Sequence, residues 1–324
     1  MPEGDTNYRA AAALRTALVG KTISRFEASH LEGPVPQLGS AVESVVSHGK
    51  YVEFIFDDGI VLHTKMGFRG KWNLYHRGQK WRTRRHLARV IIETEEWIAV
   101  AFRVPTVETY REFDQTRHPR AGRRGPDLTN LEADLHECAS RLFHYDKPNT
   151  TVADAMLDSR VMGGVGNVYR CEVLWACGVH PWAKVSEVPQ STCLDLVLTS
   201  AAQLRANQYS PVRITTPDVP GGLAVYGRNG QKCVRCGDVI RLTKMGELAR
   251  LLYWCPGCQV GCEPYPVRDD SDPIARAMDP HPAGSQFISD ILRGRPASKF
   301  YARPKTRSTA ISIATRSSRS FGSR

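Results

Sequence analysis

Four cysteines in two pairs, Cys233-Val-Arg-Cys236 and Cys255-Pro-Gly-Cys258, constrain this chain more than any other feature. Eighteen residues separate the pairs. Two such knuckles bring four thiolates to one tetrahedral centre, as in structural zinc ribbons. All four positions are then filled by protein, so the one expected zinc is structural, not catalytic. The intervening stretch, GDVIRLTKMGELARLLYW, holds two short apolar runs that predict a β-hairpin. A cluster of reduced, metal-free thiols is the alternative, and the paired spacing argues against it.

The remaining cysteines fix the setting. Cys138, Cys171, Cys177 and Cys193 are scattered singly, and Cys262 is left over from the paired set. An odd total of nine, with a start (MPEGDTNYR) that lacks the basic and apolar stretches of an export signal, predicts a reducing, cytoplasmic compartment. No run of 18 apolar residues exists, so no membrane helix is expected. The formal charge of +11 favours an anionic partner, nucleic acid being the commonest.

The chain divides by pattern into an α+β protein of two domains. Residues 5–19 predict a helix, with Asp5 and Thr6 able to cap its start and Gly20 its end. Period-two runs of Val, Ile and Phe then continue to about Tyr110, so 1–114 reads as a β-sandwich with a leading helix. Residues 115–130, rich in Arg, Pro and Gly, read as a linker. Helical periodicity returns over 131–222, with helices expected near 131–143, 150–160, 167–177 and 189–206; the cysteine module occupies 223–262. In 263–324 eleven Lys and Arg stand against six Asp and Glu, and the last 27 residues carry no acid. That composition predicts a disordered basic tail.

Several residues carry candidate chemistry. Met1-Pro2 is a start normally trimmed to expose a secondary amine with a pKa near about 8, a good nucleophile for Schiff-base chemistry. Glu3 beside it is a candidate general acid; an ordinary chain terminus is the bland alternative. Lys50 stands at a strand start after a glycine, where a solvated strand end is the usual reading. Phe68, in the Gly-flanked turn KMGFRGKW, is either core or an exposed wedge. The run HRGQKWRTRRH (76–86) reads as a solvated basic face. Three glycines in Met162-Gly163-Gly164-Val165-Gly166 let backbone approach something closely, and Asn167 is the expected cap of the following helix. The free amides of that helix start would suit a phosphate, unless the glycines serve only packing.

In order and spacing these segments resemble the formamidopyrimidine-DNA glycosylase / endonuclease VIII family. The marks are the PEGDT start, HGKYVEF, MGFRGKW, GVGNVYRCEVLW followed by GVHPW, VYGRNG, and the finger with Arg250 five residues before Cys255. The resemblance runs from Met1 to about Gln259. It implies a β-sandwich and a helix–two-turn–helix domain ending in a zinc-finger hairpin, with damaged DNA in the cleft between. It further implies that Pro2 attacks the sugar C1′ of a damaged nucleoside and Glu3 assists ring opening. Successive eliminations then nick the strand on both sides. Lys50, grouped with them beside the lesion, Asn167 and Arg250 would hold phosphates, and Phe68 would fill the gap left by the flipped nucleotide.

Three departures bear on the branch. Thr6 stands where the 8-oxoguanine-cleaving branch has glutamate. The stretch FRVPTVETY (102–110) lacks the Asp-Pro-Arg-Arg/Lys-Phe pattern that probes the opposite base. The Asn207–Val225 connection is short for a loop that caps a flipped purine. Together with the PEGDT start, these departures predict the endonuclease VIII branch acting on oxidised pyrimidines and abasic sites; with Phe68 the one clear wedge, single-stranded or bubble substrates stand as alternatives to ordinary duplex. A monomer is expected. The rival is a non-enzymatic damaged-DNA-binding zinc protein of the same fold, for which a free Pro2 beside Glu3 has no use; a zinc-ribbon RNA-binding protein leaves that start unexplained.

Overall fold

The computed structural model describes residues 2–111 and 124–260. The expected tail, Cys262 and residues 115–123 of the expected linker lie outside the described residues.

The leading helix, α1 (Gly4–Leu18), begins one residue earlier than expected, and Glu3, not Asp5 or Thr6, occupies its N-cap position. Leu14, Leu18 and Ala11 recur on one face and are buried against the strands that follow. Eight strands then form two antiparallel sheets. One has the order β1 (Arg25–Ala28), β6 (Ala88–Glu93), β7 (Trp97–Phe102), β5 (Lys71–His76). The other runs β2 (Val42–His48), β3 (Tyr51–Phe56), β4 (Ile60–Lys65), β8 (Thr106–Arg111). Inward residues Val45, Val52, Phe54, Leu62, Val90, Ile92, Ala99 and Ala101 make one core between them, as the period-two pattern requires.

The second core is helical and includes Leu128, so the chain already belongs to it before the first C-terminal helix. That helix, α2 (Leu135–Phe143), is capped by the Asp134 carboxylate accepting from the Glu137 amide. The helix expected over 150–160 is only one turn, α3 (Val152–Ala155). Asp158 accepts from the backbone amide of Arg160 and binds its guanidinium, and that local bond pulls the chain out of helical register. Helices α4 (Asn167–Ala176) and α5 (Gln190–Ala206) match their expected spans closely. The hairpin β9 (Arg241–Met245) and β10 (Arg250–Trp254) lies between the cysteine pairs, as expected, and β10 packs on α4.

The two cores meet at the glycine-rich turn. The Gly4 amide donates to the Gly164 carbonyl at 2.9 Å. The Gly49 amide donates to Asp127 Oδ2 at 2.7 Å, and the Gly49 carbonyl accepts from Asn7 Nδ2 at 2.8 Å. A Cβ on Gly49 would lie 2.8 Å from the Gly164 nitrogen; one on Gly4 would lie 2.7 Å from the Gly164 Cα. What the glycines admit is therefore the chain of the other domain. Gly166 is the tightest of these seats, since a Cβ there would run into the Glu3 carboxyl, 2.7 Å from Oε1. Gly166→Ala should destabilise the protein by about 1–3 kcal/mol, the usual cost of overpacking, and lower the thermal midpoint by several degrees. A melt unchanged from wild type would show that this junction yields freely.

Candidate active site

Glu3 is completely buried although it is the third residue of the chain. Its carboxylate sits on the N-terminus of α4, where Oε1 accepts from the Val168 amide at 2.8 Å and Oε2 from the Tyr169 amide at 3.3 Å. Those amides are unpaired within the helix, and the dipole favours a negative charge there. The amides expected to await a phosphate are thus already occupied by this chain's own carboxylate. The N-cap position belongs to Gly166, not Asn167; Gly166 has no side chain to offer, and Glu3 supplies the cap from outside the helix.

Burial pushes the Glu3 carboxyl above the usual carboxylate range. The Arg213 guanidinium, the Val168 amide and Lys50 pull it back without cancelling the rise, and Asp5 adds to it. Arg213 Nη1 lies 3.9 Å from Glu3 Oε1. The same guanidinium grips Asp5 with two bonds, Nη2 to Oδ1 at 2.6 Å and Nε to Oδ2 at 3.1 Å, and lies over the Tyr169 ring. Pro2, partly exposed, immediately precedes this buried carboxylate.

A cavity of about 480 Å³ opens beside the glycine turn. Lys50, Lys65, Arg124 and Arg250 line it from different elements, with Gly163, Gly164 and Val165 along one side. Lys50 and Arg250, far apart in sequence, thus share one cleft. Burial pulls the Lys50 ammonium down to about 8; Glu3 opposes this, while Arg250, Lys65 and Arg170 add to it. The wall also holds a polar cluster that the sequence did not announce. His63 Nδ1 and Glu53 Oε1 are 2.6 Å apart, and Arg124 Nη2 lies 3.3 Å from His63 Nε2. A guanidinium can only donate, so Nε2 accepts and the ring proton sits on Nδ1, donated to Glu53. Burial opposes the charge on both members: the His63 ring stays low, whereas His63, His48 and Arg124 overcome burial and hold Glu53 below its usual value.

Asn167 is nearly buried and fully engaged. Its Nδ2 donates to the Leu251 carbonyl at 2.7 Å, one residue from Arg250, and its Oδ1 accepts from Arg170 Nη2 at 2.5 Å. It ties α4 to β10. Phe68 is 69% exposed on the turn between β4 and β5, which settles core against exposed in favour of exposed. It is not among the residues lining the cleft.

The four paired cysteines gather their Sγ atoms within 4.8 Å of one another. Cys233 and Cys258 are 3.7 Å apart and Cys236 and Cys255 are 3.4 Å apart. A tetrahedron with metal–sulfur bonds of about 2.3 Å has edges near 3.8 Å, so the donor set and its spacing fit zinc. Trp175 Nε1 donates to Cys233 Sγ at 3.3 Å, an outer hydrogen bond of the kind that steadies a thiolate ligand. Arg235 stacks on the Trp175 ring at 4.0 Å and donates to the Trp175 carbonyl, docking the knuckle on the end of α4.

The arrangement matches known proteins along most of its length. Residues 1–112 match the model of the formamidopyrimidine-DNA glycosylase N-terminal domain, and residues 125–207 match that of the formamidopyrimidine-DNA glycosylase H2TH domain. The chain is 35% identical over 273 residues to a protein of Streptomyces coelicolor named probable endonuclease 8 2, covering 82% of this chain and 96% of that one. It is 35% identical to the DNA-(apurinic or apyrimidinic site) lyase Nei2 of Mycolicibacterium smegmatis, over 80% of this chain and 99% of that protein. The solved structure of Lactococcus lactis formamidopyrimidine-DNA glycosylase, bound non-covalently to DNA containing an abasic site, superposes with a TM-score of 0.67 at 22% identity, over 80% of this chain and all of that one. A sandwich and a helical domain joined at a buried Glu3, with a four-cysteine hairpin behind, and these matches lead to one assignment: the chain belongs to the formamidopyrimidine-DNA glycosylase / endonuclease 8 family.

Proposed function

We propose that this protein is a DNA glycosylase and abasic-site lyase of base-excision repair, acting from an N-terminal proline. The observation that carries the reading is the buried Glu3 carboxylate next to Pro2, facing Lys50 at a cleft lined by four cations. A carboxyl of raised proton affinity beside an amine is what sugar-ring opening needs, because such an acid can lend a proton and recover it. Once Met1 is removed, the Pro2 nitrogen attacks C1′ and the base departs. The resulting iminium, an electron sink, allows loss of the 3′ and then the 5′ phosphate by β,δ-elimination. Lys50, Arg250 and Lys65 offer positive charge to the flanking phosphates, which fixes the strand without reading sequence. Phe68 is the exposed apolar side chain suited to enter the stack when a nucleotide flips out. For Asn167 the reading requires that its Leu251 bond open to admit a phosphate, or that it act by holding β10 and hence Arg250.

Thr6 and the short 207–225 connection favour oxidised pyrimidines over oxidised purines, with abasic sites as a shared substrate. Zinc at Cys233, Cys236, Cys255 and Cys258 supplies fold, not chemistry. No helix among the described residues is long and apolar enough to cross a membrane; a monomer in the cytoplasm, on the nucleoid, completes the reading.

Borohydride added during reaction with abasic DNA should trap a covalent adduct that maps to Pro2, because only an iminium is reduced to a stable amine. An N-terminally extended protein, verified uncleaved, should bind DNA yet trap nothing; excision at the full rate would exclude Pro2 as nucleophile. Glu3→Gln should retain trapping while base removal is lost.

Lys50 gives a pH test. A phosphate favours its charged form, so binding is strongest below its pKa of about 8 and weakens as pH rises through it. Affinity for an uncleavable abasic analogue should drop about tenfold between roughly pH 7 and 9. Lys50→Arg should flatten that drop; an equal drop in the variant would assign it to another group.

The finger predicts one zinc per chain by metal analysis. Cys258→Ser should lose the metal and weaken DNA binding, since structural zinc carries folding free energy in so small a module. Metal-free protein that still binds abasic DNA at full affinity would refute this.

A further inference from the structure

Arg213 belongs to none of the motifs that mark the family, and it lies on the irregular connection after α5, which is the segment expected to be too short to cap a base. Yet its side chain reaches across to the first residues of the chain. It is 15% exposed, and both acids it faces are fully buried. Beyond the two bonds to Asp5, Nη2 approaches Thr6 Oγ1 at 3.4 Å, and the guanidinium covers the Tyr169 ring at 4.7 Å. Among the described residues it is the cation within ion-pair range of the Glu3 carboxylate, at 3.9 Å.

The rest of the surroundings of Glu3 sharpen the point. From α4 come the neutral amides of Val168 and Tyr169, together with the Tyr169 phenol and the Cys171 thiol, and from the segment before β9 comes the Tyr226 phenol; burial raises all three and keeps them neutral. From the β2–β3 turn comes Lys50, itself drawn toward neutrality by burial. From α1 comes Asp5, whose charge opposes that of Glu3, and Pro2 contributes the chain's own amine. Arg213 alone among these is a permanent cation in ion-pair range. Asp5 is fully buried and held by both ends of the guanidinium fork, so it works as the anchor that fixes where that cation stands.

We propose that Arg213 is a positioning residue for catalysis: clamped by Asp5, it sets the proton affinity of Glu3 and so the pH range over which base removal proceeds. This inference rests on the proposed glycosylase reading. It gives the short connection a role, namely to supply a counter-ion to the acid from beyond α5. It also gives Asp5 a task other than capping α1.

Base removal and abasic-site trapping separate the two ideas. Both use the Pro2 amine, whereas Glu3 is needed for base removal; the limb found only in the base-removal pH profile belongs to Glu3. In Arg213→Gln that limb should move to higher pH by about one unit, because the anionic form loses its counter-ion. The trapping profile should not move, and Arg213→Lys should bring the limb back toward wild type. Removing one partner can expose an unpaired buried acid and cost the fold. The paired variant Asp5→Asn/Arg213→Gln avoids this, and its limb should still move up, since Arg213 acts on Glu3 more strongly than Asp5 does. A limb that stays within about 0.2 unit of wild type in whichever of these two variants folds would overturn the role of Arg213 while trapping persists. Wild-type protein that traps no adduct would instead overturn the glycosylase reading, and this inference with it.

Discussion

The contact between the Glu3 carboxylate and the first turn of α4 is the interaction on which the site depends. It joins the third residue of the chain to a helix that starts 164 positions later. Each side supplies what the other lacks. A helix N-terminus presents amides with no partner, and a buried carboxylate must find donors. Charge-assisted bonds of this kind contribute about 1.5–3 kcal/mol each, which helps to offset the cost of taking the carboxylate from water. Burial still keeps the proton affinity of Glu3 high, an incomplete compensation that suits the proton transfer proposed for it.

This contact dictates the glycines. For Glu3 to reach Val168 and Tyr169, the chain must pass against the turn before α4 with no side chain between. Gly166 leaves room for the carboxyl, and Gly164 takes the Gly4 amide on its carbonyl. The β2–β3 turn approaches the same place through Gly49, which sets Lys50 at the cleft. A terminus is ordinarily the most mobile part of a chain. Here it is pinned at Glu3, one residue after Pro2, and this holds the proposed nucleophile in a defined place.

Much of this was legible beforehand, for identifiable reasons. The cysteine pairs declare themselves because metal geometry imposes a local spacing, and the sandwich declares itself through period-two runs that one buried face requires. Glycines at 163, 164 and 166 announced a close approach without saying of what. The occupant was invisible because the sequence carries no mark of a contact spanning 165 positions. The free amides of α4 therefore read as a phosphate site, and only the fold shows them taken. Arg213 was missed because it lies in a segment without periodicity. A signal existed in the two acids, Glu3 and Asp5, at a helix start that had to be buried, since such a pair calls for a cation from elsewhere. The Glu53–His63–Arg124 cluster was hidden differently: its first two members are cross-strand neighbours on β3 and β4, and a strand pairing is not written in either strand alone.

The four-cysteine module is tied to the same helix, α4. One end of that helix receives Glu3, its first residue Asn167 holds the Leu251 carbonyl of β10, and its last turn carries Trp175 against Cys233 and Arg235. The helix is only ten residues long, about 15 Å, and every one of them is buried. A body so short and so enclosed cannot bend to absorb a shift at either end. A displacement of the finger is therefore transmitted through α4 and β10 to Asn167 and Arg250, and to the seat of Glu3. That rigidity links the four-cysteine cluster mechanically to the other end of the helix: the knuckles hold the far end of the body on which the Glu3 carboxylate rests.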